Sequence, residues 1–304
     1  MSHKYIILRH MKINRANGKS STITGGIPAL TAWMGSIHLL ERKMREKGIQ
    51  ARLPKMAVVY HKYHLLTYNE KTVKGNITYI TNNRNPMTYK DRKAQQPSFN
   101  EEIKINLDVT LIIELISNED TEKVLEAVKN NIYKIKAASG DILEIDNMEI
   151  VDIDEKSPEQ TRQLLYSFMP GYVLISRKDL ILKEFEKGNT DGLDAMLKSL
   201  VIHEEPVKKG EDDILKWQYQ RKEAGWIIPI AVGFKALSPA GKVKNQRDPN
   251  IPHRFAESIV TLGEMKIPIR FKDIDEIMWE YAYDPASGIY EIKNTPKIVK
   301  KEKK

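Results

Sequence analysis

Residues 102–116, EIKINLDVTLIIELI, carry the most regular pattern in the chain. Apolar side chains occupy every second position from Ile103 to Leu115, and most of the residues between them are polar. Because successive side chains of a β-strand point to opposite faces, this alternation predicts a strand of a sheet. In the order of elements predicted along the chain, this segment is the third strand.

Similar signals lie on both sides of this strand. Upstream, we expect strands over 4–13 and 56–66, joined by a polar loop and a helix that ends near Gly48. Downstream, we expect a helix over 120–136 and a strand over 148–153. The order strand, helix, strand, strand, helix, strand is typical of ferredoxin-like and RRM domains, many of which bind RNA. The sequence therefore predicts an α+β fold with a ferredoxin-like core.

We expect this core to span residues 1–155 and to contain an insertion at about 68–101. The insertion is polar and basic and carries tyrosines, which predicts a projecting hairpin or thumb that contacts RNA, with a mobile solvent loop as the alternative. Residues 156–296 predict an irregular C-terminal α/β extension that completes the fold and offers RNA or partner surface, with an acidic linker at 204–213. Residues 297–304 form a basic tail.

The charge of the 304-residue chain is concentrated near its start. The formal net charge is +8, but residues 1–100 hold 18 basic and 4 acidic side chains, whereas residues 101–200 hold 12 and 21. A basic segment of this size favours a polyanionic partner, because lysines and arginines release condensed counterions from a phosphate backbone. A solvated basic face is the alternative.

The composition excludes several classes of function. The chain has no cysteine, which rules out thiolate nucleophiles, zinc fingers and iron–sulfur clusters. His61 and His64 are close in sequence, but side chains three apart in a strand point to opposite faces and cannot share a metal. We therefore predict no metal, no cofactor and no catalytic residues. The apolar runs are too short for a membrane span and no signal peptide precedes them, so we expect a cytoplasmic protein.

Six ordered segments carry a resemblance to a known family. They are Ala16, Asn17, Ser20, Ser21, Thr24, Gly26 and Pro28 in the first loop; Gly35, His38, Leu40 and Arg42; Arg84, Asn85 and Pro86; PGYVLISRKDL at 170–180; GWIIPIAVGFKALSP at 225–239; and Val243, Asn245, Arg247, Asp248, Pro252, Arg254, Phe255, Glu257, Leu262, Gly263 and Glu264. The chain resembles the tail-subunit family, the Cas-five-like proteins, of the type I-F CRISPR surveillance complex, called the Csy complex.

The resemblance implies a non-catalytic RNA-binding subunit with a RAMP-type, ferredoxin-like core and a thumb. By family it would hold the 5′ handle of the CRISPR RNA, pair with the large subunit, contact the first backbone subunit and lie close to target DNA near the protospacer-adjacent motif. These features fit a subunit used in antiviral defence. In such effectors the guide base-pairs with the target, and the protein contacts the nucleic-acid backbone and recognises its shape.

We expect the first loop and the loop VKNQRDPNIPHRF to converge on the handle. The predicted RNA-binding residues are Asn17, Ser20, Ser21, Arg84, Asn85, Asn245, Arg247 and Arg254. An ion pair between Arg247 and Asp248 is the alternative for that arginine, and the apolar GWIIPIAVGF segment is expected to be core or partner interface. Two other functions stay open: a metal-independent endoribonuclease that uses a histidine such as His10 or His61 on precursor RNA, and an RNA-free structural adaptor.

Overall fold

A mostly antiparallel β-sheet with helices on its faces forms the α+β fold of this protein. The computed structural model describes residues 2–73, 75–80, 83–84, 99–100, 102–154, 157–188, 191–208, 215–246 and 248–294. The helices are α1 Leu30–Glu46, α2 Thr121–Ile132, α3 Pro158–Ser167, α4 Lys178–Glu186 and α5 Gly192–Leu200.

The strands follow one another along the chain with few long connections. They are β1 Ser2–Asn17, β2 Ala51–Arg52, β3 Lys55–Leu65, β4 Thr67–Thr72, β5 Gly75–Ile80, β6 Asn83–Arg84, β7 Phe99–Asn100, β8 Lys104–Ser117, β9 Lys136–Ala137, β10 Gly140–Glu144, β11 Asn147–Asp154, β12 Tyr172–Ser176, β13 Ile202–Lys208, β14 Leu215–Arg221, β15 Trp226–Ala236, β16 Ala256–Lys266, β17 Trp279–Asp284 and β18 Ile289–Lys293.

Four strands of the predicted core lie side by side in the order β11–β1–β8–β3, and every neighbouring pair is antiparallel. The strand built on residues 102–116 is β8, which pairs with β1 on one side and β3 on the other. Side chains on its two faces enter different apolar clusters: Leu111 and Ile113 pack with α1, whereas Ile112 packs with α3. Because helices cover both faces, β8 is buried along nearly all of its length.

Helix α1 forms where the apolar spacing predicts it. Leu30, Met34, Ile37, Leu40 and Met44 are all buried on one face, as residues three and four apart must be in a helix that packs on a sheet. Helix α2 is shorter than predicted: it ends at Ile132, and a turn leads into β9. Adjacent residues with positive φ angles at the β9–β10 turn reverse the chain there.

The C-terminal region is not an irregular extension. Its strands follow the order β12–β16–β15–β18–β17, and both end strands, β12 and β17, pair with the same edge of β3. These six strands therefore close into a ring. The buried indole of Trp279 on β17 donates from Nε1 to the carbonyl oxygen of Leu174 on β12 at 2.8 Å, which ties the two end strands together.

The predicted acidic linker at 204–213 is wrong over its first half. Residues Ile202–Lys208 form β13, which pairs antiparallel with β14. The register places Glu204 opposite Tyr219 and Pro206 opposite Trp217. The adjacent charges of Glu204 and Glu205 made this segment look like a linker, although Glu204 lies directly opposite the exposed Tyr219.

The predicted insertion contains a second hairpin, in which β4 pairs with β5. Tyr68 lies opposite Tyr79 in that register. A short β6–β7 pair follows, in which the backbone of Arg84 takes part; Asn85 lies outside the described residues. Among the described residues, no helix is both long enough and apolar enough to cross a membrane.

Candidate nucleic-acid interface

The first loop, residues 17–29, connects β1 to α1 and is held by its own side chains. Asn17 Nδ2 donates to the carbonyl oxygen of Lys19 at 3.2 Å, and Asn17 Oδ1 accepts from the backbone N–H of Lys19 at 3.1 Å. The side-chain amide thus stabilises the backbone turn at Lys19. Asn17 was predicted to contact RNA; the described hydrogen bonds of its side chain are internal to the loop.

The two predicted serines also shape this loop. Ser21 Oγ is 2.7 Å from Thr24 Oγ1 and accepts from the backbone N–H groups of Ile23 and Thr24 at 3.2 and 3.1 Å. Ser20 Oγ is 2.8 Å from the same threonine hydroxyl. Ser21 and Thr24 are buried, whereas Lys19 and Ile23 are exposed at the surface of the loop.

Glycine backbone anchors the loop to β8. Gly18 N–H donates to the carbonyl oxygen of Ile103 at 2.7 Å, and Gly26 N–H donates to the carbonyl oxygen of Gly18 at 2.8 Å. A Cβ atom on Gly18 would lie 2.8 Å from Ile103 Cγ2, and one on Gly25 only 2.5 Å from Ile103 Cδ1. Larger residues would therefore push the loop away from the sheet.

The loop leads into a helix whose N-terminus lacks a side-chain cap. The N-cap residue is Ala29, and the first turn of α1 contains no acidic residue. Backbone N–H groups and the helix dipole leave this end electropositive. Neither Lys19 in the loop nor the nearby Lys62 pairs with a carboxylate of a described residue. This corner of the molecule therefore attracts anions.

A cavity of about 330 Å³ lies beside the first loop. We call it the aromatic pocket; it is lined by Gly25, Gly26, Ile27, Tyr60, His61, Lys62, Tyr63, Tyr172, Trp226, Ile228, Pro229 and Met265. The rings of Tyr172 and Trp226 meet edge to face, with centroids 5.2 Å apart. Trp226 is 53% exposed, and Tyr63 and Tyr172 are exposed to a similar degree.

Three adjacent strands hold the aromatic pocket in place. Met265 of β16 pairs with Leu174 of β12 on one side and with Trp226 of β15 on the other. Two of the wall aromatics, Tyr172 and Trp226, each follow a tightly packed glycine. A Cβ on Gly171 would lie 2.6 Å from a methyl of Val59, and one on Gly225 would lie 2.5 Å from a carboxylate oxygen of Glu264.

An ion pair supports this part of the pocket. Arg177 Nη1 donates to Glu264 Oε2 at 2.6 Å, and Lys266 Nζ lies 3.2 Å from the same oxygen. The Glu264 side chain is buried beneath Gly225. Arg177, Gly225 and Glu264 belong to three different segments of the sequence resemblance, and the structure brings them together under Trp226.

The two candidate catalytic histidines also lie together. The ring centroids of His10 and His61 are 4.2 Å apart, and His10 Nδ1 is 2.9 Å from Asp108 Oδ1. His61 Nδ1 is 2.6 Å from the carbonyl oxygen of Pro170, which can only accept, so this nitrogen carries the proton. His61 Nε2 then accepts from the Thr110 hydroxyl at 2.8 Å. Burial lowers the pKa of His61, which keeps the ring neutral at pH 7.

The second loop, residues 237–255, lies at the opposite end of the β15–β16 hairpin. Gln246 closes its tip, accepting from the N–H of Val243 and donating to the carbonyl oxygens of Asp248 and Ile251. Asn245 is exposed and has a positive φ of 63°. The Nε atom of Arg254 is buried and has no hydrogen-bond partner among the described residues; Arg247 lies outside them.

The two loops do not converge. Trp226 borders the aromatic pocket and the first loop, whereas Ala236 at the other end of β15 begins the second loop. Ten residue steps at about 3.3 Å each place these ends roughly 30 Å apart along the strand. The structure therefore groups Asn17, Ser20 and Ser21 at one corner and Asn245 and Arg254 at another.

Sequence reasoning missed the aromatic pocket. It assigned the GWIIPIAVGF segment to core or partner interface, and the middle of that segment, around Ile230 and Val232, is indeed buried. Its first aromatic residue, Trp226, is exposed. The signal that was available is a glycine followed by an aromatic residue in two of the segments that carry the resemblance, Gly171–Tyr172 and Gly225–Trp226.

Comparisons with known proteins agree with the resemblance. The family model described as CRISPR-associated protein (Cas_Csy2) matches residues 6–292. The chain is also similar to the CRISPR-associated protein Csy2 of Pseudomonas aeruginosa (strain UCBPP-PA14), with 27% identity over 321 residues that cover 97% of this chain and 96% of the relative. Both matches run through the first loop, the strands of the aromatic pocket and the second loop.

Proposed function

Because the chain belongs to the Csy2 family of CRISPR-associated proteins, a subunit family of the type I-F Csy complex, we propose that it is a non-catalytic RNA-binding subunit that holds the 5′ handle of the CRISPR RNA. In this proposal it pairs with the large subunit, contacts the first backbone subunit and lies near target DNA at the protospacer-adjacent motif. It acts in the cytoplasm, in antiviral defence.

The observation that carries the proposal is the electropositive corner formed by the first loop, the uncapped start of α1 and Lys62. Phosphate groups bind where backbone N–H groups and cationic side chains face solvent without competing carboxylates. Lys19 and Lys62 meet that condition. The exposed aromatic rings next to them offer faces for unstacked bases.

The strand order β11–β1–β8–β3, with all pairs antiparallel, supports a ferredoxin-like, RAMP-type core. The β4–β5 hairpin supports the assignment of the insertion as a thumb. It begins two residues after Leu65, at the same end of β3 as Tyr63 and the aromatic pocket. RNA held at the first loop would therefore meet this hairpin.

Membership of the Csy complex implies contacts with other Csy subunits. The β13–β14 hairpin supports one protein interface, because Ile202, Trp217 and Tyr219 lie on the same face of it and are all exposed. Exposed aromatic side chains in a row mark interfaces more often than solvated surface. We assign this hairpin face to the large subunit.

The test is co-expression of this protein with the large subunit and a guide RNA. The purified pair should absorb strongly at 260 nm, and a scrambled handle should reduce the RNA that is retained. Lys19→Glu and Lys62→Glu should each weaken handle binding. Each should also make the negative slope of log K against log salt concentration shallower by about 1. The matched control is Lys123→Glu, an equal change of charge at the start of α2, beyond the far end of the roughly 45 Å long β8.

Equal RNA retention with native and scrambled handles would refute handle recognition. Equal effects of Lys19→Glu and Lys123→Glu would show that only net charge matters and would remove the first loop from the site. RNA-free elution at low salt, with the large subunit still bound, would instead establish the structural adaptor.

The metal-independent endoribonuclease is the second candidate, because His10 and His61 lie together and His10 contacts Asp108. Metal-free cleavage of RNA needs both a general base and a general acid. Both ring nitrogens of His61 are occupied by Pro170 and Thr110, so only His10 keeps a nitrogen for chemistry. We therefore favour the non-catalytic function. Discrete cleavage of precursor RNA in EDTA that disappears in His10→Ala would reverse this preference.

A further inference from the structure

We propose that the aromatic pocket holds one unpaired base of the RNA, turned out of the strand and stacked against Trp226 and Tyr172. The inference rests on the proposed RNA-binding function and names the part of the RNA that this cavity takes. None of the residues predicted from the sequence to bind RNA lines the pocket.

Size and shape favour a single base. The cavity of about 330 Å³ lies at the small end of the range for pockets that take small molecules. It is too small for a helical segment of a partner, whose diameter with side chains is about 10–12 Å. Five of its twelve lining residues carry flat rings, and every nucleobase offers a flat face that stacks on aromatic side chains.

Charge favours a base of a nucleic acid over an aromatic side chain of a protein. Lys62 lies on the rim, and Gly26 and Ile27 of the lining lead directly into the uncapped end of α1. A base that enters the pocket brings its two flanking phosphates to this rim, where Lys19 and Lys62 have no carboxylate partner among the described residues. An aromatic side chain of a protein brings no phosphate of its own to pair with these lysines.

The lining carries no charge that would repel RNA. Burial raises the pKa values of Tyr60 and Tyr63, so both phenols keep their protons. Glu264, whose carboxylate lies against Gly225, is buried and neutralised by Arg177 and Lys266. Tyr172 and Trp226 are also positioned before any ligand arrives, because Gly171 and Gly225 are packed against their surroundings.

The test is a double-mutant cycle between protein and RNA, measured on the co-purified pair of this protein and the large subunit. Guide RNAs carry an abasic site at one handle position at a time, and their affinities are compared for the wild type and for Trp226→Ala. At one position the abasic site should weaken wild-type binding about 5- to 150-fold, as expected for one lost base stack. The same abasic site should have little further effect in Trp226→Ala.

Tyr166→Ala is the matched control, since Tyr166 is 49% exposed on α3, which packs on the other face of the sheet, and does not line the pocket. It should leave the abasic penalty unchanged. Trp226→Phe keeps an aromatic face and should recover part of the affinity, which separates stacking from loss of folding. As a second readout, 2-aminopurine at the same handle position should be quenched by the wild type and not by Trp226→Ala.

The outcomes distinguish this inference from the proposed function. If no guide RNA is retained at all, the proposed function fails. If guide RNA binds normally but every abasic penalty is equal in the wild type and Trp226→Ala, the base pocket is refuted while handle binding stands. If Trp226→Ala releases the large subunit and keeps its RNA affinity, the pocket holds a protein side chain and the inference is overturned.

Discussion

Replacement of Arg177 by methionine should strongly destabilise this protein, because it leaves a buried carboxylate without its main partner. At 2.6 Å and an effective dielectric constant near 20, the attraction between Arg177 and Glu264 is about 6 kcal/mol before desolvation is subtracted. Removal of one member of a buried pair typically costs about 3–5 kcal/mol. Lys266 remains 3.2 Å from the same oxygen and compensates in part. We expect Arg177→Met to lower the free energy of unfolding by about 3 kcal/mol.

Urea unfolding followed by circular dichroism measures this loss. The double variant Arg177→Met/Glu264→Gln removes the stranded charge and should recover part of the stability. The matched control is Arg45→Met, because Arg45 Nη2 also lies 2.6 Å from a carboxylate, Glu41, but the Arg45 side chain is 53% exposed, and Glu41 keeps a hydrogen bond from the N–H of Leu53. It should cost no more than about 0.5 kcal/mol. Equal losses for Arg177→Met and Arg45→Met would refute the argument that burial gives this pair its weight.

Two further predictions concern the frame of the aromatic pocket. Gly171→Ala should lower the free energy of unfolding by about 1–3 kcal/mol, because its Cβ would overlap Val59 and the Phe168 carbonyl. Gly35→Ala, at an exposed helix position with open space around it, should raise the free energy of unfolding by about 0.5–1 kcal/mol. Urea midpoints test both variants, and changes of the same sign would contradict the packing argument. Because burial lowers the pKa of His61, the unfolded chain binds more protons than the folded one below about pH 6.5, so stability should fall from pH 7 to pH 5. His61→Gln should flatten that fall relative to His64→Gln, a change at an exposed position.

The core of this fold could be predicted from periodicity, because each of its elements has regularly spaced apolar side chains on the face that it buries. The alternation in β8 and the spacing of Leu30, Met34 and Ile37 in α1 gave both elements their correct type. Local signals could not predict the closure of the C-terminal strands on β3. That closure depends on pairings such as Val173 with Val59, more than 100 residues apart, and on the hydrogen bond from Trp279 to Leu174.

The candidate site was predictable only in part, and the reason is physical. The sequence identified polar residues that could hydrogen-bond to RNA. It does not show whether the polar atoms of a side chain are already hydrogen-bonded within the protein. Asn17 and Ser21 use their polar atoms within the first loop. Trp226 presents the opposite case: an apolar run suggested burial, yet the end of a strand at a sheet corner leaves its ring exposed.

Residues that build this corner therefore differ from residues that can touch a ligand there. Ser21 holds the loop with its hydroxyl, which is already hydrogen-bonded, and Gly225 lets the backbone approach Glu264. Lys62 and Trp226 are exposed and would supply charge and a stacking face. Changes in the first group should lower stability and RNA affinity together, whereas changes in the second should lower affinity alone. Comparing the loss of stability with the loss of RNA affinity for each variant therefore separates residues that build the site from residues that contact RNA. This comparison does not require a structure of the complex.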